Sequence, residues 1–325
     1  FSALLDIITI ASIAPVIDLL IQGQNSEKYS TITVKLIELF NQFSIPPSLK
    51  STLIVFICLN FIKTLFNSLS VYFIYKIKFV VIQSLMTALI NNLFNTTWQF
   101  FVARRSGDFI NILQKEMNII GGGIVFISTY LISLIQIAFL LYIPFFISWK
   151  LTLETVIIGT ILIYLTSLCS KYGNKLGQLN VSTSNDYLSA MSEFLNSIKL
   201  ILTFSIQNKV MDKLLTLFKN HYQIQIKMEI LNRTITQIYQ PIGFSIVAFT
   251  IIKAQNLNIP ISELTLLLYS LLKIVPFISQ LVSSKIKIDT FIPSYNYIEQ
   301  INQEAIQTPQ ISGNKTFHTF ESCIE

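Results

Sequence analysis

The 325-residue sequence predicts an all-α membrane protein whose six transmembrane helices continue as helices beyond the bilayer on one side. Three observations predict it. Charged residues make up 12% of the chain, against about 25% in an ordinary soluble domain. Hydrophobic residues reach 52%, and mean hydropathy is +0.60. Six windows of roughly 20 residues, the length a helix needs to cross a hydrocarbon core of about 30 Å, carry almost no charge. The same numbers exclude a water-soluble enzyme, a disordered chain, which needs low hydrophobicity and high net charge, and a disulfide scaffold, since there are only three cysteines. Cys58 and Cys169 lie in apolar runs and Cys323 near the end, which reads as small hydrophobes and one spare thiol.

In order, the windows are residues 1–21, containing Asp6 and Asp18; 51–75, containing Lys63; 119–148, without charge; 151–170, containing Glu154; 234–252, without charge; and 264–284, containing Lys273. The first has no basic stretch before it and no small-residue cleavage site, so it reads as a span and not as a signal peptide. It is apolar from Phe1 onward, which reads as an excerpt of a longer chain. The third and fourth windows are paired across Ser148, Trp149 and Lys150, which predicts a tight hairpin.

Sixteen Lys and Arg residues fall in the segments 76–118, 171–233 and 285–325, and five fall in the alternate segments. Positive loops are retained in the cytoplasm, so both chain ends face it and segment 22–50 is external. The net charge of +6 is thus explained by topology and lipid headgroups, without nucleic acid. The two long connections, 76–118 and 171–233, are poor in Gly and lack Pro. Leu188, Met191, Leu195, Ile198 and Leu202 follow a 3-4-3-4 spacing, one face of a helix. The spans therefore continue into the cytoplasm, reversing near residues 104–108, with Asp108 as N-cap of the returning helix, and near 196–208. Segment 285–325, with Pro293, Pro309 and Gly313, reads as a linker leaving the membrane, and residues 320–325 as the start of a strand.

Lys63 and Lys273 sit near the middle of their spans, where a charge is costly and faces a bundle interior or a wet cavity. They are the candidate substrate-cavity residues, with pairing to Asp6, Asp18 or Glu154 as the alternative. Pro241 and Pro276 are expected to kink their helices. His221 and His318 are isolated, and no carboxylate pair, metal spacing or nucleophile triad is visible. Gly121-Gly122-Gly123 lacks the lysine of a P-loop.

The strings WQFFVARRSGDFINILQKEMN (98–118), SWKLTL (148–153) and SEFLNSIKLILTFSIQNKVMD (192–212), set in this pattern of spans, resemble the transmembrane domain of an ABC exporter with a fused nucleotide-binding domain. The chain departs from that family at Asn196-Ser197, where Gly is common, and at Ser205, where Gly or a charged residue is usual. The resemblance implies a type I fold, a domain-swapped dimer with a second copy in the plasma (inner) membrane, and alternating access. It implies coupling to a nucleotide-binding domain through the loop tips, with Arg104, Arg105 and Lys199 as charged contacts, Phe100, Phe101 and Phe204 as knobs, and Gly107 and Asp108 shaping the first tip. ATP and Mg would sit on that domain, beyond residue 325. The first span and helix-like residues 32–43 look most like exporters of lipid-linked oligosaccharides and polysaccharide precursors, whose pyrophosphate would match Lys63 and Lys273. Peptide or bacteriocin exporters are the alternative within the family. A channel, a carrier or a membrane scaffold is the alternative outside it, although the inverted repeats and broken helices of secondary carriers are not seen.

Overall fold

The computed structural model describes residues 2–22, 33–34, 37–38, 48–104, 106–167, 169–254 and 261–310. These are almost entirely helical: α1 Ser2–Ala11, α2 Ile13–Gln22, α3 Leu49–Phe94, α4 Trp98–Val102 and α5 Ser106–Ile110. A π-helical turn, Asn111–Glu116, leads into α6 Met117–Ile147. There follow α7 Trp149–Ser167, α8 Cys169–Asn196, α9 Ile198–Thr203, α10 Gln207–Ala254 and α11 Ile261–Gln307. The external helix expected at 32–43 and the strand expected at 320–325 fall largely or wholly outside the described residues.

Among the described residues five helical stretches are long and apolar enough to cross a membrane, within Ala3–Leu20, Leu49–Phe94, Asp108–Ile147, Gln207–Ala254 and Glu263–Gln307. The fourth expected span is helical over Trp149–Ser167. The tight hairpin forms as expected: α6 ends at Ile147, Ser148 is extended, and the Thr152 hydroxyl and amide both donate to the Ser148 carbonyl. The rods outrun the bilayer. α3 has 46 residues, about 69 Å at 1.5 Å per residue, so about 40 Å lies outside the hydrocarbon. A capping box starts it, with Ser48 and Ser51 each taking the other's backbone N–H. Phe61 and Leu65 on its outward face are each 70% exposed, the composition expected of a surface that meets lipid tails.

Three apolar clusters hold the rods together, and α11 contributes to each. Leu266, Leu267, Leu271 and Ile274 pack with Ile10, Ala14, Leu140 and Ile143. Leu281, Val282 and Ile286 pack with Ile235 and Tyr239 of α10. Ile298, Ile301 and Ala305 pack with Leu89, Leu93, Ile112 and Met117. α11 is therefore the central post, and it passes straight through the segment read as a linker from residue 285. The helix survives Pro293, which has no N–H to offer the Asp289 carbonyl four residues earlier. Asn174 of α8 supplies the missing donor, its Nδ2 lying 3.2 Å from that carbonyl. α8 comes this close because residue 177 is glycine: a Cβ there would lie 2.4 Å from the Thr290 carbonyl oxygen and 3.2 Å from the Pro293 ring. Beyond Gln307 the chain is pinned to the end of α3, with Thr97 N donating to Thr308 O at 3.0 Å and Gln310 N to Asn95 O at 2.7 Å.

Asn174→Leu, which strands the Asp289 carbonyl, is expected to cost about 1–3 kcal/mol of stability. Pro293→Ala in the same chain restores a backbone donor and is expected to recover most of that loss. Thermal unfolding of the two single variants and the double variant in detergent checks both.

Candidate functional site

The two mid-span lysines converge on one carboxylate. Asp6 of α1 is fully buried, paired with Lys63 of α3 and 3.3 Å from Lys273 of α11. The spacing along each helix brings this about. Lys63 lies 14 residues into α3 and Lys273 12 residues into α11, so both sit about 20 Å from the helix starts at the same end of the bundle. Asp6 comes to that level from a helix packed between them. One carboxylate against two ammonium groups leaves one positive charge in the span. Both lysine side chains keep some exposure, 17% and 21%, while Asp6 keeps none. The pairing with Asp6 foreseen as an alternative is thus the arrangement found; Asp18 instead accepts from Thr33, and Glu154 faces Lys253 at 3.8 Å.

The first loop tip holds itself together. Phe100 is buried against Ile298 and Ile301, so it is not the exposed knob expected of it, and Phe101 packs beside it. Arg104 lies over the Phe100 ring, 3.9 Å from its centroid, and pairs with Glu304 of α11. Asp108 is not an N-cap. The helix starts two residues earlier, at Ser106, and the Asp108 carboxylate lies in its first turn, accepting from Ser189 Oγ at 3.3 Å. Gly107 is part of the α5 backbone, and Arg105 lies outside the described residues. The large apolar side chains exposed here are Trp98 and Val102, neighbours of the residues singled out from the sequence.

The second tip, α9, presents Lys199, Leu200, Leu202 and Phe204 to the exterior. It ends in a Schellman motif, with Ile206 N bonded to Ile201 O and Ser205 N to Leu202 O. Ser205 takes the left-handed conformation this requires, φ 53°, a conformation that glycine adopts at no steric cost.

A third polar centre was not foreseen. At the π-helical turn Lys115 Nζ donates to Ser184 Oγ at 2.7 Å and lies 2.9 Å from His221 Nε2. Thr183 Oγ1 is 3.1 Å from His221 Nδ1, and the Tyr187 ring stacks nearly parallel to the imidazole. Asn111 bridges Glu116 and Asn185 and accepts from Ser184. Burial, and then the Lys115 charge, push the His221 pKa down to about 4. Burial lowers Lys115 as well, opposed by Glu116. Burial and the Asp108 charge raise Tyr297 to about 12. The network assigns a neutral imidazole that accepts at Nε2 and donates from Nδ1 to Thr183. His221, isolated in sequence, is therefore the hub of a network joining three helical segments. No local motif announces it: Gln225 Nε2 lies 3.0 Å from His221 Nε2 one turn on, but the other partners lie 106 and 38 residues away.

Asp6→Asn leaves two lysines unpaired in the span and is expected to destabilise the protein by about 3 kcal/mol. Adding Lys273→Met is expected to offset part of this, giving a non-additive double-mutant cycle in unfolding measurements. The His221 pKa lies below its unfolded value of 6.5, so its stabilising contribution is fully present above pH 6.5 and is lost as pH falls towards about 4. His221→Gln is expected to flatten the dependence of the unfolding temperature on pH across that window.

Residues 2–287 match the family model described as the ABC transporter transmembrane region. Over 206 residues the chain is 22% identical to the heterocyst differentiation ATP-binding protein HepA of Nostoc sp. (strain PCC 7120), covering 63% of this chain and 34% of that protein. It thus spans about a third of the length of that curated relative. The structure is similar to that of a bacterial Atm1-family ABC exporter with ATP bound, at a TM-score of 0.70 and 14% identity, over 92% of this chain and 52% of that one. At that identity the likeness speaks for the fold, which is that of an ABC exporter transmembrane domain. With the family model covering most of its length, the chain belongs to the ABC transporter transmembrane region family.

Proposed function

We propose that this chain is the translocating domain of an ATP-driven exporter that moves a lipid-linked glycan, or another amphipathic substrate with an anionic head, by alternating access. Two copies form the path in the plasma (inner) membrane, with the basic ends of the helices in the cytoplasm. The observation that carries this is the Asp6, Lys63 and Lys273 cluster. A charge inside a span is expensive, and a cluster that retains one uncompensated ammonium, on partly exposed side chains, suits a phosphate or pyrophosphate group that passes and leaves. In a dimer the surplus doubles. Asp6 limits the field, holding the two lysines in place while keeping the site from binding an anion too tightly to release it.

ATP and Mg2+ would be held by a nucleotide-binding domain outside these residues. The glycine triplet of this chain does not fit a phosphate cradle. A Cβ on Gly121 would fall 2.3 Å from Ile82, and one on Gly123 would fall 2.7 Å from Phe291, so these two glycines serve helix packing within α6. The ATP named in the description of each similar protein supports an ATP-driven engine here. The exposed α9 tip, with Lys199 and Phe204, and the exposed Trp98 and Val102 at the first tip are the surfaces proposed to receive its movement. Buried Phe100 and half-buried Phe101 and Arg104 act behind them, fixing the first tip to α11 so that a push on the tip moves the post.

With the full-length protein in proteoliposomes, Lys63→Met and Lys273→Met are each expected to lower transport of a pyrophosphate-linked glycolipid at least about tenfold, equivalent to about 1.4 kcal/mol, with basal ATP hydrolysis retained. Unaltered transport in both variants overturns the role of the lysines. Faster transport of a peptide than of any glycolipid assigns the chain to the peptide exporters.

A further inference from the structure

A cavity of about 520 Å3 opens between the π-helical turn, α8 and α10, at the level where the helices leave the bilayer, within the size range of small-molecule sites. Its polar lining is Lys115, Asn180, Gln225, Glu229 and Asn232, with the exposed ring of Tyr222 at its side. Two of these groups are unfinished. Asn180 is 5% exposed, and its Oδ1 has no hydrogen-bond partner; the buried Oδ1 of Asn232 has none either. A carbonyl oxygen taken out of water without a donor costs stability, so both call for a donor that the chain does not supply.

The remaining groups narrow what that donor can be. A free metal cation would meet the Lys115 ammonium, which spends two of its three donors on Ser184 and His221. A bare phosphate would offer only acceptors to two orphan carbonyl oxygens. Hydroxyl groups answer both demands, because each donates and accepts. A ring carrying several of them could donate to Asn180 and Asn232 and accept from Lys115. Its C–H face could rest on Tyr222 and the apolar Ile119 and Ile226.

We propose that this cavity binds the sugar headgroup of a membrane lipid. The attachment to lipid follows from where the groove goes. Past Glu229 and Asn232 it runs on to Arg233, which pairs with Glu229 at 2.6 Å, and to Thr236, Ser283 and Lys287, which places the Lys287 ammonium at the membrane surface where a headgroup joins its lipid. Lys287 and Lys273 are 14 residues apart on α11, about 21 Å, so the cavity is a loading station one bilayer leaflet away from the Asp6 cluster. Only the statement that the bound lipid is cargo rests on the transport reading above; the binding itself does not.

The test uses the full-length protein in nanodiscs, titrated with glucosyl diacylglycerol, with phosphatidylcholine or with free glucose, and read by thermal stabilisation. Glucosyl diacylglycerol is expected to stabilise the protein at concentrations where the other two do not. Asn232→Leu and Tyr222→Ala are expected to weaken its apparent affinity about tenfold or more. Tyr222 is exposed and its truncation spares the fold, which keeps the test decisive if Asn180→Leu does not fold. Equal stabilisation by phosphatidylcholine, or unchanged affinity in both variants, overturns the proposal. Equal stabilisation by free glucose overturns the attachment to lipid. Lys273→Met is expected to keep glycolipid binding while losing transport, and glycolipid bound but never transported by the unmutated protein would sink the transport reading and leave this site standing.

Discussion

Packing against α11 is the constraint on which the rest of the bundle depends. Each of the three apolar clusters draws part of its side chains from this one helix, so helices that barely touch one another are held in register by a common wall. The wall must stay helical through Pro276 and Pro293 for this to work, and in hydrocarbon or in a packed interior a freed carbonyl cannot turn to water. At Pro293 the answer is explicit. Gly177 removes the Cβ that would hold α8 away, and Asn174 then reaches the orphaned Asp289 carbonyl. A glycine and an asparagine three residues apart thus let α11 run 47 residues, tying the membrane-spanning part to its extension.

Polar groups are concentrated at two depths, and each set is arranged differently. In the span, Asp6 is surrounded by cations and sealed from solvent, while the lysines it holds retain partial access. In the extension, Lys115 and His221 are held by neutral hydroxyls and amides, and burial keeps the imidazole uncharged over the physiological range. The first arrangement leaves net charge beside partly accessible side chains. The second leaves unused hydrogen-bonding capacity at Asn180 and Asn232. A π-helical turn, a frequent companion of functional sites, lies at the second and turns Asn111 and Lys115 inward together.

The two tips differ in the same instructive way. The first is anchored because Arg104 is caught between the Phe100 ring and Glu304, while Trp98 and Val102 remain exposed. The second is a single turn of helix closed by a left-handed serine, with nearly all of its apolar side chains outward. The first tip is thus tied to α11, and the second turns an apolar surface outward.

The sequence by itself determined the helical class, the tight hairpin and the two reversals. These depend on length, charge depletion and local periodicity, which hydrocarbon thickness and the 3.6-residue repeat translate directly into rods. It also marked Lys63 and Lys273, because a charge in a span is costly wherever its partner lies. Only the tertiary structure decided that the partner is Asp6, that Phe100 turns inward, that Pro293 does not end α11, and that His221 is a hub. Each of these rests on contacts between residues far apart in the chain. A helix's own sequence fixes which side chains share a face, and only the neighbouring helix decides what that face meets.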